Sequence, residues 1–76
     1  MNYGAINIDR ETMGGTPVFM GTRIPIQTLF DYLEGGDSLE EFIDDFPSVT
    51  KSQVLEVLEL AKKTVTSEKV LNENFA

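Results

Sequence analysis

Two helix-start signals stand close together in this chain, with a proline between them. Ser38 with Glu41 and Thr50 with Gln53 are capping boxes, in which a hydroxyl residue and a glutamate or glutamine three positions later cap each other's backbone amides. Pro47 limits the first of these helices, because the residue before a proline avoids helical angles. The middle of the chain is therefore predicted to form two helices that meet at a tight corner.

A further helix is predicted ahead of this pair. Pro25 suits the first position of a helix, where its missing amide costs nothing, and the paired glycines Gly35 and Gly36 are typical of a helix end. Because Ile24 is a poor cap, we expect Thr22 or Gln27 to bond the first free amides. An apolar stripe at helical spacing lies between these limits. It consists of Ile26, Leu29, Phe30 and Leu33.

The second and third helices are amphipathic as well. The inward positions predicted for the second are Leu39, Phe42, Ile43 and Phe46. Those of the third are Val54, Leu55, Val57, Leu58, Ala61 and Val65. The stripe of the third helix is wide enough to face a core and something more, and its late cations, Lys62 and Lys63, suit the negative end of the helix dipole.

A β-hairpin is predicted before the helices. Ile6 and Ile8 alternate with polar residues, which is the period of a half-buried strand. Residues 17–20 form the second strand, and glycine-rich residues 13–16 turn the chain between them. The fold class is thus mainly α, a short N-terminal hairpin followed by a three-helix, helix-turn-helix-like bundle. We assign residues 1–66 to this domain and residues 67–76 to a C-terminal tail, which is either a short fourth helix or an arm that orders on a partner.

The small size of the domain predicts a partner chain. A chain of 76 residues has a marginal core and usually needs a disulfide, a metal or another chain to stabilise it. Cysteine and histidine are both absent, which excludes disulfides and removes the preferred ligands of zinc. We therefore predict a homodimer, a hetero-complex or both, with the unpaired hairpin edges as the pairing surface. No apolar run is long enough to span a membrane and no signal peptide is recognisable at the start, so the expected location is cytoplasmic.

The negative charge is concentrated in one segment. The net charge is −7, and all of this excess falls within residues 31–47, which contain no basic residue. The acidic residues are Asp31, Glu34, Asp37, Glu40, Glu41, Asp44 and Asp45. Such a segment repels phosphate and attracts basic surfaces. It is either a solvated helix face or a surface for a basic partner.

The corner between the second and third helices also allows a helix-turn-helix interpretation, in which residues 50–63 form the recognition helix. The candidates for DNA contact are Lys51, Ser52, Gln53 and Glu56. Gln53 suits adenine, Glu56 suits cytosine, and Lys51 suits guanine or phosphate. The acidic second helix, which lies across the phosphates in this motif, counts against tight binding because affinity depends on neutralising phosphate.

The sequence contains no credible set of catalytic residues. Glu40 with Asp44 and Glu41 with Asp45 have the spacing of metal ligands or acid–base pairs, but exposed carboxylates on a short helix need no such role and no histidine supports them. The glycines do not match a phosphate-binding motif, and the hydroxyl residues lack a histidine base. We therefore predict a non-enzymatic protein without metal or cofactor.

One run of residues resembles a known family signature. Residues 14–26 read Gly-Gly-Thr-Pro-Val-Phe-Met-Gly-Thr-Arg-Ile-Pro-Ile, and this run resembles the signature of the antitoxin-like family called domain of unknown function 433. The similarity continues at residues 35–38, 46–50 and 53–54 and covers roughly residues 4–65. The motif positions are Gly14, Gly15, Pro17, Gly21, Thr22 and Pro25.

The resemblance implies a hairpin followed by a helix-turn-helix-like bundle, and many members are encoded beside a PIN-like ribonuclease toxin. It implies an antitoxin that dimerises, binds that toxin and can bind its own promoter. The alternatives are a helix-turn-helix regulator that binds DNA, or a plain oligomerising scaffold with neither activity. The residues proposed for toxin binding are Glu40, Glu41, Asp44, Asp45 and Arg23. Thr16 stands where the family usually has lysine, and Met20 stands where it often has arginine. The run of residues 14–26, which we call the signature loop, has therefore lost two cations. For Arg23 we favour a structural hydrogen bond, to nearby carbonyls or to Asp31, over a ligand contact.

Overall fold

Three helices and a small sheet make up the fold in a computed structural model that describes residues 2–11 and 13–67. The strands are β1 (Asn2–Tyr3), β2 (Ile6–Asn7) and β3 (Val18–Phe19), and a short 3-10 turn spans Met13–Gly15. The helices are α1 (Ile26–Glu34), α2 (Leu39–Asp45) and α3 (Lys51–Thr66). The predicted class, a mainly helical domain with an N-terminal hairpin, is confirmed. Of the predicted tail, residues 68–76 lie outside the described residues.

Both predicted N-caps form, but the reciprocal bond of a capping box is present only at the start of α3. The Ser38 hydroxyl accepts a hydrogen bond of 3.1 Å from the Glu41 amide at the start of α2. At the start of α3 the cap is reciprocal, since Thr50 Oγ1 accepts from the Gln53 amide at 3.1 Å while Gln53 Oε1 accepts from the Thr50 amide at 3.0 Å. α2 ends at Asp45, two residues before Pro47. The corner between α2 and α3 therefore follows from local chemistry.

The start of α1 differs from the prediction. The helix begins at Ile26, and Pro25 is its extended N-cap with φ −62° and ψ 141°. Neither Thr22 nor Gln27 bonds the first amide, because the Ile26 amide donates to the Pro17 carbonyl at 3.0 Å. The bridge between Val18 and Pro25 holds Pro25 in this extended conformation. The start of α1 is thus set by its attachment to the sheet.

The sheet contains the predicted pairing and one additional strand. β2 and β3 are antiparallel, with Ile6 opposite Phe19, and β1 pairs with the other side of β2 in the strand order β1-β2-β3. The β1–β2 turn depends on Gly4, whose φ of +57° lies in the left-handed region. The prediction missed β1 because two residues are too few to show an alternating pattern.

The core lies between the sheet and the three helices. Its fully buried side chains are Phe19, Leu29, Phe42, Val49 and Val54. Phe42 is at the centre, with its ring 5.8 Å from Phe19 and 5.3 Å from Tyr32 between centroids. Two residues of the predicted α3 stripe lie outside this core, since Leu55 is 49% exposed and Val65 is 64% exposed. The apolar stripe of α3 is therefore wider than the surface that its own domain covers.

Candidate functional site

The exposed carboxylates of α2 and of the α1–α2 link form an acidic surface. Its members are Asp37, Glu40, Glu41, Asp44 and Asp45, all of which are exposed. Asp45 accepts a hydrogen bond of 2.6 Å from the Tyr32 hydroxyl. This bond, followed by partial desolvation and the negative charges of Asp45, Asp37 and Glu41, raises the pKa of Tyr32. Asp37 of the link and Glu41 and Asp45 of α2 thus all act on the same phenol.

Aromatic packing holds this part of the acidic surface in position. The Tyr32 ring meets Phe42 and Phe46 edge to face, with centroid distances of 5.3 and 5.8 Å. Because Tyr32 belongs to α1 and Asp45 to α2, their hydrogen bond also joins the two helices. Four of the candidate partner-binding residues are thus displayed on one helix whose buried side is anchored by Phe42, namely Glu40, Glu41, Asp44 and Asp45. In the described segments no three acidic residues are arranged to hold a metal ion.

The N-terminus of α3 carries the candidates for DNA contact. Lys51 and Ser52 are exposed there. Gln53 is half-buried, and besides capping α3 its Nε2 donates to the Met20 carbonyl at 3.0 Å. Both ends of the Gln53 amide are therefore engaged within the protein, which leaves no free edge for a two-bond contact with adenine. Glu56 is exposed, and its carboxylate lies so close to Gly4 that a Cβ there would be 2.9 Å from Oε2.

The signature loop has a mainly structural role. Thr22 Oγ1 donates to the Phe19 carbonyl at 2.8 Å and accepts from the Ile24 amide at 3.1 Å, which closes the turn after β3. Gly21 permits that turn with a φ of +77°. Arg23 is exposed and makes no hydrogen bond or ion pair with the rest of the described chain. The prediction that it bonds a carbonyl or Asp31 is therefore wrong. The Arg23 side chain is consequently available to a partner.

An exposed apolar groove is the feature that the sequence reasoning missed. It has a volume of about 340 Å³ and lies between β2, α1 and the C-terminal half of α3. We call its principal side chains the apolar face, namely Ile6, Ile26, Phe30, Leu60, Ala61 and Val65. Leu60 is 45% exposed in its wall. The surplus apolar positions of α3 were the signal in the sequence, but they did not show where the uncovered surface would lie.

Comparison with known proteins identifies the family of this chain. The family model described as "Protein of unknown function (DUF433)" matches residues 6–61. The chain belongs to the DUF433 family. The predicted resemblance is thereby confirmed, and the match includes the signature loop, both N-caps and the wall of the groove as far as Ala61. No curated protein matches this DUF433 chain, and no solved structure matches it.

The structure also bears on the membrane. Among the residues that it describes, this DUF433 protein has no helix with both the length and the apolar character needed to cross a bilayer.

Proposed function

We propose that this DUF433 protein is a non-catalytic antitoxin that binds and neutralises a basic ribonuclease of the PIN-like class. The observation that carries the proposal is the acidic surface, five exposed carboxylates on α2 and the preceding link in a stretch without a cation. A ribonuclease needs positive surface to hold RNA, so a clustered negative surface competes for the same groups. The family is described only as a protein of unknown function, and the antitoxin role is what the resemblance of residues 14–26 implies.

The arrangement of the acidic surface suits recognition of a second protein. Its carboxylates stand on a helix that Phe42 anchors in the core, and the bond from Tyr32 orients Asp45. A carboxylate that is already oriented, as Asp45 is, loses less side-chain entropy on binding, which favours a specific complex. The remaining exposed carboxylates accept arginine and lysine from the partner, and Arg23 supplies a cation elsewhere on the surface.

The test is binding to the product of the adjacent gene. We expect the two proteins to co-purify and the antitoxin to inhibit cleavage of single-stranded RNA. The double variant Glu40→Gln with Asp44→Asn removes two charges from one side of α2. It should weaken the complex on the order of tenfold, mostly through slower association at low salt.

A matched control removes the same charge elsewhere. Glu11 and Glu59 are exposed and lie outside the acidic surface, so Glu11→Gln with Glu59→Gln changes the net charge equally and should leave affinity nearly unchanged. Equal losses for the two double variants would reduce the effect to net charge and remove the acidic surface as the binding site. If the adjacent gene encodes no nuclease, or if the two proteins fail to associate, the antitoxin proposal is lost.

DNA binding is the weaker candidate. Gln53 is engaged by Thr50 and Met20, and the helix that would cross the phosphate backbone is acidic. Gel shifts with the upstream DNA at several salt concentrations test this alternative, and Lys51→Glu should abolish any shift that the N-terminus of α3 produces. Absence of a shift at low salt, with and without the toxin, would exclude DNA binding and leave toxin binding or a plain oligomerising scaffold.

A further inference from the structure

We propose that the apolar face of this protein binds the same face of a second copy, with the two α3 helices antiparallel about Leu60. This surface shares no residue with the acidic surface, so the inference stands independently of nuclease binding. It replaces the hairpin edges as the predicted dimer contact.

The first argument is the size and position of the uncovered apolar area. The groove of about 340 Å³ is lined almost entirely by aliphatic and aromatic side chains. Leu60 and Val65 are 45% and 64% exposed in it. Contiguous exposed apolar surface on a small domain is typical of an interaction site. A domain this small also gains the stability that its own core lacks by burying such surface against a partner.

The second argument is the pattern of charge along the rim. Glu56 and Lys63 are exposed and lie seven residues apart, which places them on the same side of α3 about 10 Å from one another. Glu56 lines the small pocket next to Leu60 at this edge of the groove. Neither residue forms an ion pair within the described chain. Both rim charges are therefore available for pairing between chains.

These charges select a second copy and an antiparallel arrangement. The midpoint between Glu56 and Lys63 falls beside Leu60, so a two-fold axis at that level brings Glu56 of each chain opposite Lys63 of the other. A two-fold contact repeats every pair, and both attractive pairs form at once. In a parallel two-fold arrangement the charged rims of the two copies would lie on opposite edges of the contact, so neither attractive pair would form. The rim is thus complementary to its own antiparallel copy.

The hairpin offers less to a second chain than this face. The outer side of β3 is occupied, because the Phe19 amide donates to the Ile24 carbonyl at 3.0 Å and Val18 bridges Pro25. β1 covers the other side of β2 and is only two residues long. Edge pairing with such a strand adds few hydrogen bonds.

Sedimentation equilibrium of the full chain tests the proposal, and two leucines of α3 provide a matched pair. Leu60 and Leu55 are similarly exposed, at 45% and 49%, but only Leu60 lines the groove. Leu60→Asp should raise the dissociation constant of the dimer at least about thirtyfold, since two leucines lose their burial in each dimer. Leu55→Asp should change it less than about threefold. Equal effects of the two variants would overturn the proposal.

Charge reversal tests the antiparallel register without touching the core. Glu56→Lys alone and Lys63→Glu alone each make both pairs repulsive, so each should weaken the dimer on the order of tenfold. The double variant exchanges the two charges and should return to within about threefold of the wild type. Weakening by both single variants without recovery in the double variant would overturn the antiparallel pairing about Leu60.

Other occupants of the face give other results. A wild-type chain that is monomeric at every concentration overturns the proposal. If Leu60→Asp then abolishes nuclease binding, the face belongs to the nuclease. If instead the methyl signals of Leu60 shift in the Phe75→Ala variant of the monomer, the face belongs to the C-terminal segment of the same chain.

Discussion

Replacing Gln53 by glutamate separates the two tasks of this side chain. Gln53 caps α3 with Oε1 and fastens the hairpin to α3 through the bond from Nε2 to the Met20 carbonyl, 3.0 Å long. Glutamate is equally suited to the capping box, and its negative charge favours the start of a helix by about 0.3–1 kcal/mol. It has no amide donor, however, and it brings an anionic oxygen to a carbonyl oxygen.

The expected cost follows from these contributions. Met20 is half-buried. Loss of the hydrogen bond to its carbonyl, which would then face a carboxylate, should lower the free energy of unfolding by about 1–3 kcal/mol. After the gain at the helix start, the free energy of unfolding should fall by about 1–2 kcal/mol. With a urea dependence of about 1–1.5 kcal/mol per molar for a chain this size, the unfolding midpoint should fall by about 1 M.

Urea unfolding followed by far-ultraviolet circular dichroism measures this effect at one protein concentration. The control is Ser52→Glu, because Ser52 is exposed beside Gln53 and its side chain bonds no other described residue. It adds the same charge to the same turn and should be neutral or slightly stabilising. Hydrogen exchange of the Met20 amide, which donates to Ala5 at 2.7 Å, should accelerate only in Gln53→Glu. Equal midpoints for the two variants would refute the role of Gln53 in joining the hairpin to the helix.

Three further changes test the packing described above. Asp45→Asn should lower the pKa of Tyr32 toward its ordinary value of 10.0. An ultraviolet titration measures this pKa once the other tyrosine has been changed to phenylalanine. Because folding raises that pKa, the bond contributes stability below about pH 10 and loses it as pH rises through the folded value. Phe42→Ala should cost about 3–5 kcal/mol and abolish cooperative thermal unfolding. Gly4→Ala should cost about 1–2 kcal/mol in urea unfolding, since the positive φ of +57° opposes a Cβ, whereas the exposed Glu56 carboxylate nearby can move away.

Most of the helical structure was predictable because it depends on near neighbours. The caps at Ser38 and Thr50 act over three residues, and the stripe of α1 repeats every three or four. Such signals are complete within a short stretch of chain. Residues 14–26 likewise carry the family resemblance by themselves. The composition alone removed disulfides and histidine ligands from consideration.

The candidate surfaces required the folded chain. The bond between Gln53 and Met20 joins residues 33 positions apart, and that between Tyr32 and Asp45 spans 13. No local pattern encodes these distances. The sequence therefore placed Gln53 among the DNA-contact candidates, whereas the fold uses both ends of its amide.

Exposure was decided in the same way. Leu55, Leu60 and Val65 are apolar in the sequence whichever side of α3 is covered, and each stays largely exposed in the fold. Whether an apolar residue is buried depends on which elements pack over it, and α1, α2 and the sheet come from distant parts of the chain. The sequence by itself thus determined the three helices, the starts of α2 and α3 and the family, because these depend on residues a few positions apart. Only the tertiary structure decided which apolar and charged side chains share an open surface, because that depends on how the whole chain closes.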